Sequence, residues 1–90
     1  MPDFEWWEEK RLRVLADRGL DFRDAEFVLD QAQLYTYASP REHEARWVTI
    51  GRLDGDLIAV VWMYRGEAVR IISMRRARRA ERRRFGSLYR

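Results

Sequence analysis

The sequence predicts an α+β fold: an N-terminal helical hairpin, a four-stranded antiparallel meander and a C-terminal helix, in the order α-α-β-β-β-β-α. Three features of the 90 residues predict it. Apolar residues recur at helical spacing as far as Leu29. From Leu34 the pattern changes to aromatic and β-branched runs broken by turn pairs. From about Ala77 an apolar stripe at helical spacing returns. The length suits one domain over residues 1–90, and a 47% hydrophobic content can fill its core.

The elements follow in order. Phe4, Trp7, Leu12 and Leu15 predict a first helix from about Trp6 to Arg18. Glu8 and Glu9 sit in its first turn and Arg18 in its last, as the macrodipole prefers, and Gly19 supplies a left-handed stop. Asp21 reads as an N-cap, with Asp24 three residues on. Phe22, Ala25, Val28 and Leu29 line a short second helix that ends near Asp30. Leu34–Ser39 reads as a strand, and Ser39-Pro40-Arg41-Glu42 as a turn. Trp47–Leu53 is the second strand. Asp54-Gly55 marks a hairpin, because both residues tolerate positive φ. Leu57–Tyr64 is apolar at both alternating sets of positions, so it is expected at the sheet centre, covered on both sides. Arg65-Gly66 turns the chain into a last strand, Ala68–Met74. In the final helix Ala77, Ala80, Glu81, Phe85 and Leu88 fall near one stripe, and arginines fill the rest. The tryptophans Trp6, Trp7 and Trp62 are expected mainly in the core.

Composition excludes several classes. There is no cysteine and one histidine, His43, so neither a disulfide framework nor a zinc site of several histidines is available. No apolar run approaches the roughly 20 residues of a membrane span. The first residues lack a basic n-region, so a cytoplasmic protein is expected. Charge is divided unevenly. Residues 1–45 carry eleven acidic and six basic groups, a net of −5, and residues 46–90 carry four and twelve, a net of +8. Every cation except Lys10 is arginine, whose fork matches phosphate in bidentate fashion. A nucleic-acid partner is one reading of this half; a merely solubilising surface is the other.

The chemistry-bearing residues cluster from Arg70 to Arg82. Arg75, Arg76 and Arg79 are expected at the start of the last helix, where they oppose the dipole and an anionic partner would offset the cost. Ser73 lacks a neighbouring base, so it suits a cap or a phosphate contact better than a nucleophile. Tyr64-Arg65 at a hairpin end could stack on and clamp a nucleotide. Glu44 and Arg46 flank the second strand. Cutting RNA without a metal needs cations for the phosphorane, and arginines supply them. It also needs a base, which arginine cannot be; His43, Glu44 and Glu81 are the candidates. Direct DNA binding finds no helix-turn-helix spacing.

The chain resembles the BrnT family, the ribonuclease toxins of BrnT–BrnA type II toxin–antitoxin systems. Phe4-Glu-Trp6-Trp7-Glu-Glu-Lys10 is similar to the family's Phe-x-Trp-Asp-x-x-Lys start, and Gly19-Leu-Asp-Phe-Arg-Asp-Ala25 to its Gly-Val-Ser-Phe-Glu-Glu-Ala segment. Glu44-Ala-Arg46-Trp-Val-Thr-Ile-Gly51 matches Glu-x-Arg…Ile-Gly. Arg70-Ile-Ile-Ser73-Met-Arg75-Arg76-Ala77…Glu81-Arg82 matches Arg-Ile-Ile-Ser-Ala-Arg-x-Ala…Glu-Arg. The resemblance implies a RelE-like fold, metal-independent RNA cleavage and a BrnA-type antitoxin with a ribbon-helix-helix part. It also implies a hetero-oligomer through which alone DNA is bound. It places Arg46, Arg70, Ser73, Arg75 and Glu81 at motif positions. Three positions depart from it: Arg18 replaces a histidine, Val14 an asparagine and Trp7 an aspartate. Together these observations nominate Arg18, His43, Glu44, Arg46, Arg65, Arg75 and Arg79 for the chemistry. Tyr64, Arg70, Ser73 and Arg76 are nominated for RNA contact. No metal and no cofactor are expected, and an acidic antitoxin segment is expected to mask the cluster at Arg75, Arg76 and Arg79.

Overall fold

A computed structural model describes residues 2–40 and 45–89, and in it Phe4–Glu5 form a short strand, β1, ahead of the first helix. β1 lies parallel to the last strand, Phe4 opposite Val69 and Glu5 opposite Arg70. The sheet is therefore mixed and five-stranded, in the order β1-β5-β4-β3-β2, rather than the four-stranded antiparallel meander expected. Two residues carry no periodic signal. Their partner lies at the far end of the chain, a pairing that local pattern cannot announce.

The helix α1 (Glu8–Arg18) ends as expected at Gly19, whose φ of 69° lets its N–H return to the Leu15 carbonyl at 2.9 Å. Asp21 accepts from the Arg23 N–H at 2.9 Å, but the second helix is shorter than expected. A 3-10 turn at Phe22–Asp24 leads into a five-residue α2 (Ala25–Leu29). Asp21 also fixes Arg11, which is buried on α1. The Arg11 guanidinium lies 3.1 Å from both Asp21 oxygens and is bonded to Glu8 as well. These two carboxylates hold its charge firmly in place and make burial tolerable.

The strands β2 (Tyr35–Ser39), β3 (Arg46–Leu53) and β4 (Asp56–Arg65) form the antiparallel part with β5 (Ala68–Arg76). Asp54 and Gly55 turn the β3–β4 hairpin with φ of 51° and 85°, as their residue types predict. β4 is covered on both sides. Ile58 and Val60 pack with Val14, Phe22 and Val28 from the α1–α2 side, together with Ile71 and Met74. Ala59 packs with Val48, Ile50 and Phe85 beneath α3 (Arg79–Leu88). α3 starts two residues later than expected because the chain is still paired with β4. Arg76 lies opposite Ile58, and the Ala77 N–H donates to the Leu57 carbonyl at 2.9 Å. Leu88 belongs to the predicted apolar stripe, yet it is exposed.

Gly51 is where α2 meets the sheet. A Cβ there would lie 2.8 Å from Val28 Cγ1, 2.9 Å from Leu34 Cδ2 and 3.3 Å from the Val28 carbonyl oxygen. Gly51→Ala should therefore destabilise the fold by about 1–3 kcal/mol, read as a lower urea midpoint at unchanged slope. An unchanged midpoint would mean that α2 is free to move away.

Candidate nucleic-acid interface

Strand register decides which arginines meet. In β4, Ala59, Val61, Met63 and Arg65 alternate onto the α3 side of the sheet. Their partners in β5 are Arg75, Ser73, Arg70 and Ala68. Arg75 and Arg70 are five residues apart, so a regular strand would send them to opposite faces. A register shift at Val61/Trp62 leaves Ile72 as the extra residue, and beyond it the parity of β5 is reversed. Arg46, two residues before Val48 in β3 and opposite Ser39, joins the same face. α3 covers only the Ile50–Ala59 end. The rest of this face is lined by Arg46, Met63, Arg65 and Arg70, with Arg75 at the boundary.

These arginines differ in what they are free to do. Arg75 grips Glu81 with both ends of its fork, at 2.7 and 2.8 Å. The Tyr37 hydroxyl donates to the same carboxylate, and the Arg78 N–H reaches it at 2.7 Å. Glu81 is buried, a cost that would raise its pKa. Arg75, Tyr37 and the Arg78 N–H outweigh it and hold the carboxyl at about 2. The pair is thus a structural clasp between β5 and α3. Glu81 and Arg75 spend their charges on each other. Arg75 and Arg76 also lie in β5, so only Arg79, exposed in the first turn of α3, stands at the helix start as expected.

Arg70 is half-buried and likewise engaged. It donates to Glu5 at 2.8 Å and lies over the Trp7 ring, 5.2 Å from its centroid. Arg65 is exposed, 3.9 Å from Glu5. Tyr64, next to it, points to the other side of β4, edge-on to Trp62 at 5.1 Å and beside Phe4 and Leu29. Neighbouring strand residues face opposite ways, so Tyr64 and Arg65 cannot clamp one nucleotide. Arg18 reaches β5 from the end of α1, donating to Ser73 Oγ at 3.2 Å and to the Met74 carbonyl at 2.8 Å. Arg76 returns a bond to the Arg18 carbonyl at 2.9 Å. The structure therefore brings Arg18, Ser73 and Arg76 together, 55 residues or more apart in sequence for each bond. His43 and Glu44 lie outside the described residues.

Sequence reasoning passed over Lys10. Burial lowers the pKa of its ammonium, and the charges of Arg46, Arg13 and Arg18 lower it further. Among so many arginines it is the cation able to lose a proton. The available signal was that a chain otherwise spelling its cations as arginine uses lysine here. Lys10 and Arg13 line a hollow of about 690 Å³ with Trp6, Trp7, Glu8 and Glu9. Trp7, expected in the core, is 67% exposed. Among the described residues, no three histidine, aspartate or glutamate side chains gather as metal ligands, and no helix is long and apolar enough to cross a membrane.

A small α+β fold with an arginine-lined sheet face is thus the class that fold and site define. The chain belongs to the BrnT family: the family model described as "Ribonuclease toxin, BrnT, of type II toxin-antitoxin system" matches residues 6–81. An RNA substrate and an antitoxin partner go with that family. No curated protein is a close match to the chain.

Proposed function

We propose that the protein is a metal-independent endoribonuclease toxin of RelE-like fold. It arrests growth by cutting RNA and is neutralised by a BrnA-type ribbon-helix-helix antitoxin, the hetero-oligomer alone binding DNA. The observation that carries this is the sheet register, which sets Arg46 and Arg65 on one face and, through the bulge in β5, turns Arg70 onto it, with Lys10 and Arg18 nearby. There the 2′-hydroxyl attacks the adjacent phosphate. Lys10, whose ammonium gives up its proton more readily than an ordinary lysine's, takes the hydroxyl proton in its neutral form. Arg46 and Arg18 stabilise the charge of the phosphorane. The bond to the 5′ oxygen breaks, that oxygen takes a proton from water, Lys10 gives its proton back to the solvent, and a 2′,3′-cyclic phosphate is left behind. Neutralisation by an acidic antitoxin segment then covers the exposed Arg18 and Arg65 rather than Arg75, which Glu81 holds at the β5–α3 clasp.

Short single-stranded RNA incubated with pure protein should be cut in the presence of EDTA. With about four phosphate contacts, affinity should fall about fifty-fold for a fourfold rise in salt. Cleavage lost to EDTA and restored by magnesium would overturn the metal-free route. A second reading, a basic module that binds RNA without cutting it, draws on the engagement of Arg70 and Arg75 by carboxylates and on Arg18 in place of the family's histidine. Salt-dependent binding with no cleavage under any condition would favour it.

A further inference from the structure

We propose that the hollow beside the start of α1 is a subsite for one unpaired RNA base, stacked on Trp7, with the flanking phosphate on Arg13. The inference rests on the ribonuclease reading above and adds a position at which the substrate is held. Trp7 occupies the N-cap of α1, where residues whose side chains bond the helix N–H groups are preferred, and its side chain makes no capping bond. It is 67% exposed, although most large apolar side chains among the described residues are at least partly buried. The ring is nevertheless held. Arg70 lies 5.2 Å from its centroid, and Glu5 anchors Arg70 at 2.8 Å. An oriented ring with an open surface is what a base-stacking platform requires, since stacking gains most when the ring has no freedom left to lose.

The hollow supplies the remaining contacts. Its volume, about 690 Å³, lies within the range of small-ligand sites. Trp6 Nε1 and Arg11 both bond Glu8, which leaves Glu9 as the lining carboxylate for a base edge. A carboxylate only accepts hydrogen bonds, so it favours bases that present amino or imino hydrogens, guanine or cytosine. Arg13, at the edge of the same hollow, supplies the cation for the flanking phosphate.

The test is a titration of the full chain with a short single-stranded RNA and with the same RNA carrying one abasic nucleotide. Trp7→Ala should weaken binding of the intact RNA about 5- to 100-fold, and Trp7→Phe should keep most of the affinity. At one position along the RNA, removing the base should weaken wild-type binding by a similar factor and Trp7→Ala hardly at all. Trp7→Ala binding as tightly as wild type, while Arg46→Ala binds more weakly, would overturn the subsite and leave the ribonuclease reading standing. A wild-type chain that binds no RNA would overturn both. Trp7→Ala that loses affinity for the antitoxin but not for RNA would assign the hollow to the protein partner and overturn the subsite.

Discussion

Arg75→Ala is expected to cost about 3–5 kcal/mol, because it strips the buried Glu81 carboxylate of its bidentate partner and leaves the charge facing an apolar core. A chain of this size has roughly 5–13 kcal/mol in all, so the variant should stand near its unfolding threshold. Urea unfolding at neutral pH measures the loss. The acid limb gives the second signature. Glu81 is held at about 2 against an ordinary 4.5, so its contribution is complete above the ordinary value. It is lost as pH falls from about 4.5 towards 2. This amounts to about 3 kcal/mol in the wild type and should be largely missing from Arg75→Ala. Replacing both partners with methionine should recover much of the stability, since no unpaired charge remains. A loss below about 1 kcal/mol would show Arg75 to be peripheral and return it to the set of free phosphate ligands. The same reasoning makes Arg75→Glu a poor probe of RNA or antitoxin contact. It sets two carboxylates against each other at the β5–α3 clasp, so the fold fails before binding can be read.

Lys10→Arg should lower the rate of RNA cleavage by about 10²- to 10⁴-fold while changing RNA affinity less than about threefold. Arginine keeps the positive charge but cannot take up the 2′-hydroxyl proton. Lys10→Met, which loses the charge too, should weaken binding as well as cleavage. Burial and the arginines around Lys10 favour its neutral form. The wild-type rate should therefore rise with pH and level off below the range of an ordinary lysine, and Lys10→Arg should lack that rise. Single-turnover cleavage against pH measures it directly. Undiminished cleavage by Lys10→Arg would move the base elsewhere, with His43 and Glu44 next to be tried.

Much of the fold was legible in the chain. Gly19, Asp54-Gly55 and the doubly apolar run at β4 each carry a local backbone or burial preference strong enough to survive packing. The two-residue β1 was not legible, nor was the continuation of β5 through Arg75 and Arg76, because each depends on a partner strand rather than on its own residues. Of the residues nominated, Arg46 shares the face of Arg65 and Arg70, while Arg18, Ser73 and Arg76 meet through hydrogen bonds at the end of α1. Arg75 and Glu81 were named as separate agents, yet they satisfy each other. Lys10 went unnoticed because a single lysine on a helix surface looks like any other exposed cation until its neighbours are known.

The amino-acid sequence by itself determined the helical start, the antiparallel hairpins, the basic second half and the family, since all of these are written in local pattern, composition and residue order. Only the tertiary structure decided which cations are available. One extra residue in β5 turns Arg70 onto the face of Arg75, and α3 brings a carboxylate down on Arg75 alone. A charge is free or spent according to what lies within about 4 Å of it, and chains fold so that such neighbours come from residues far apart in sequence.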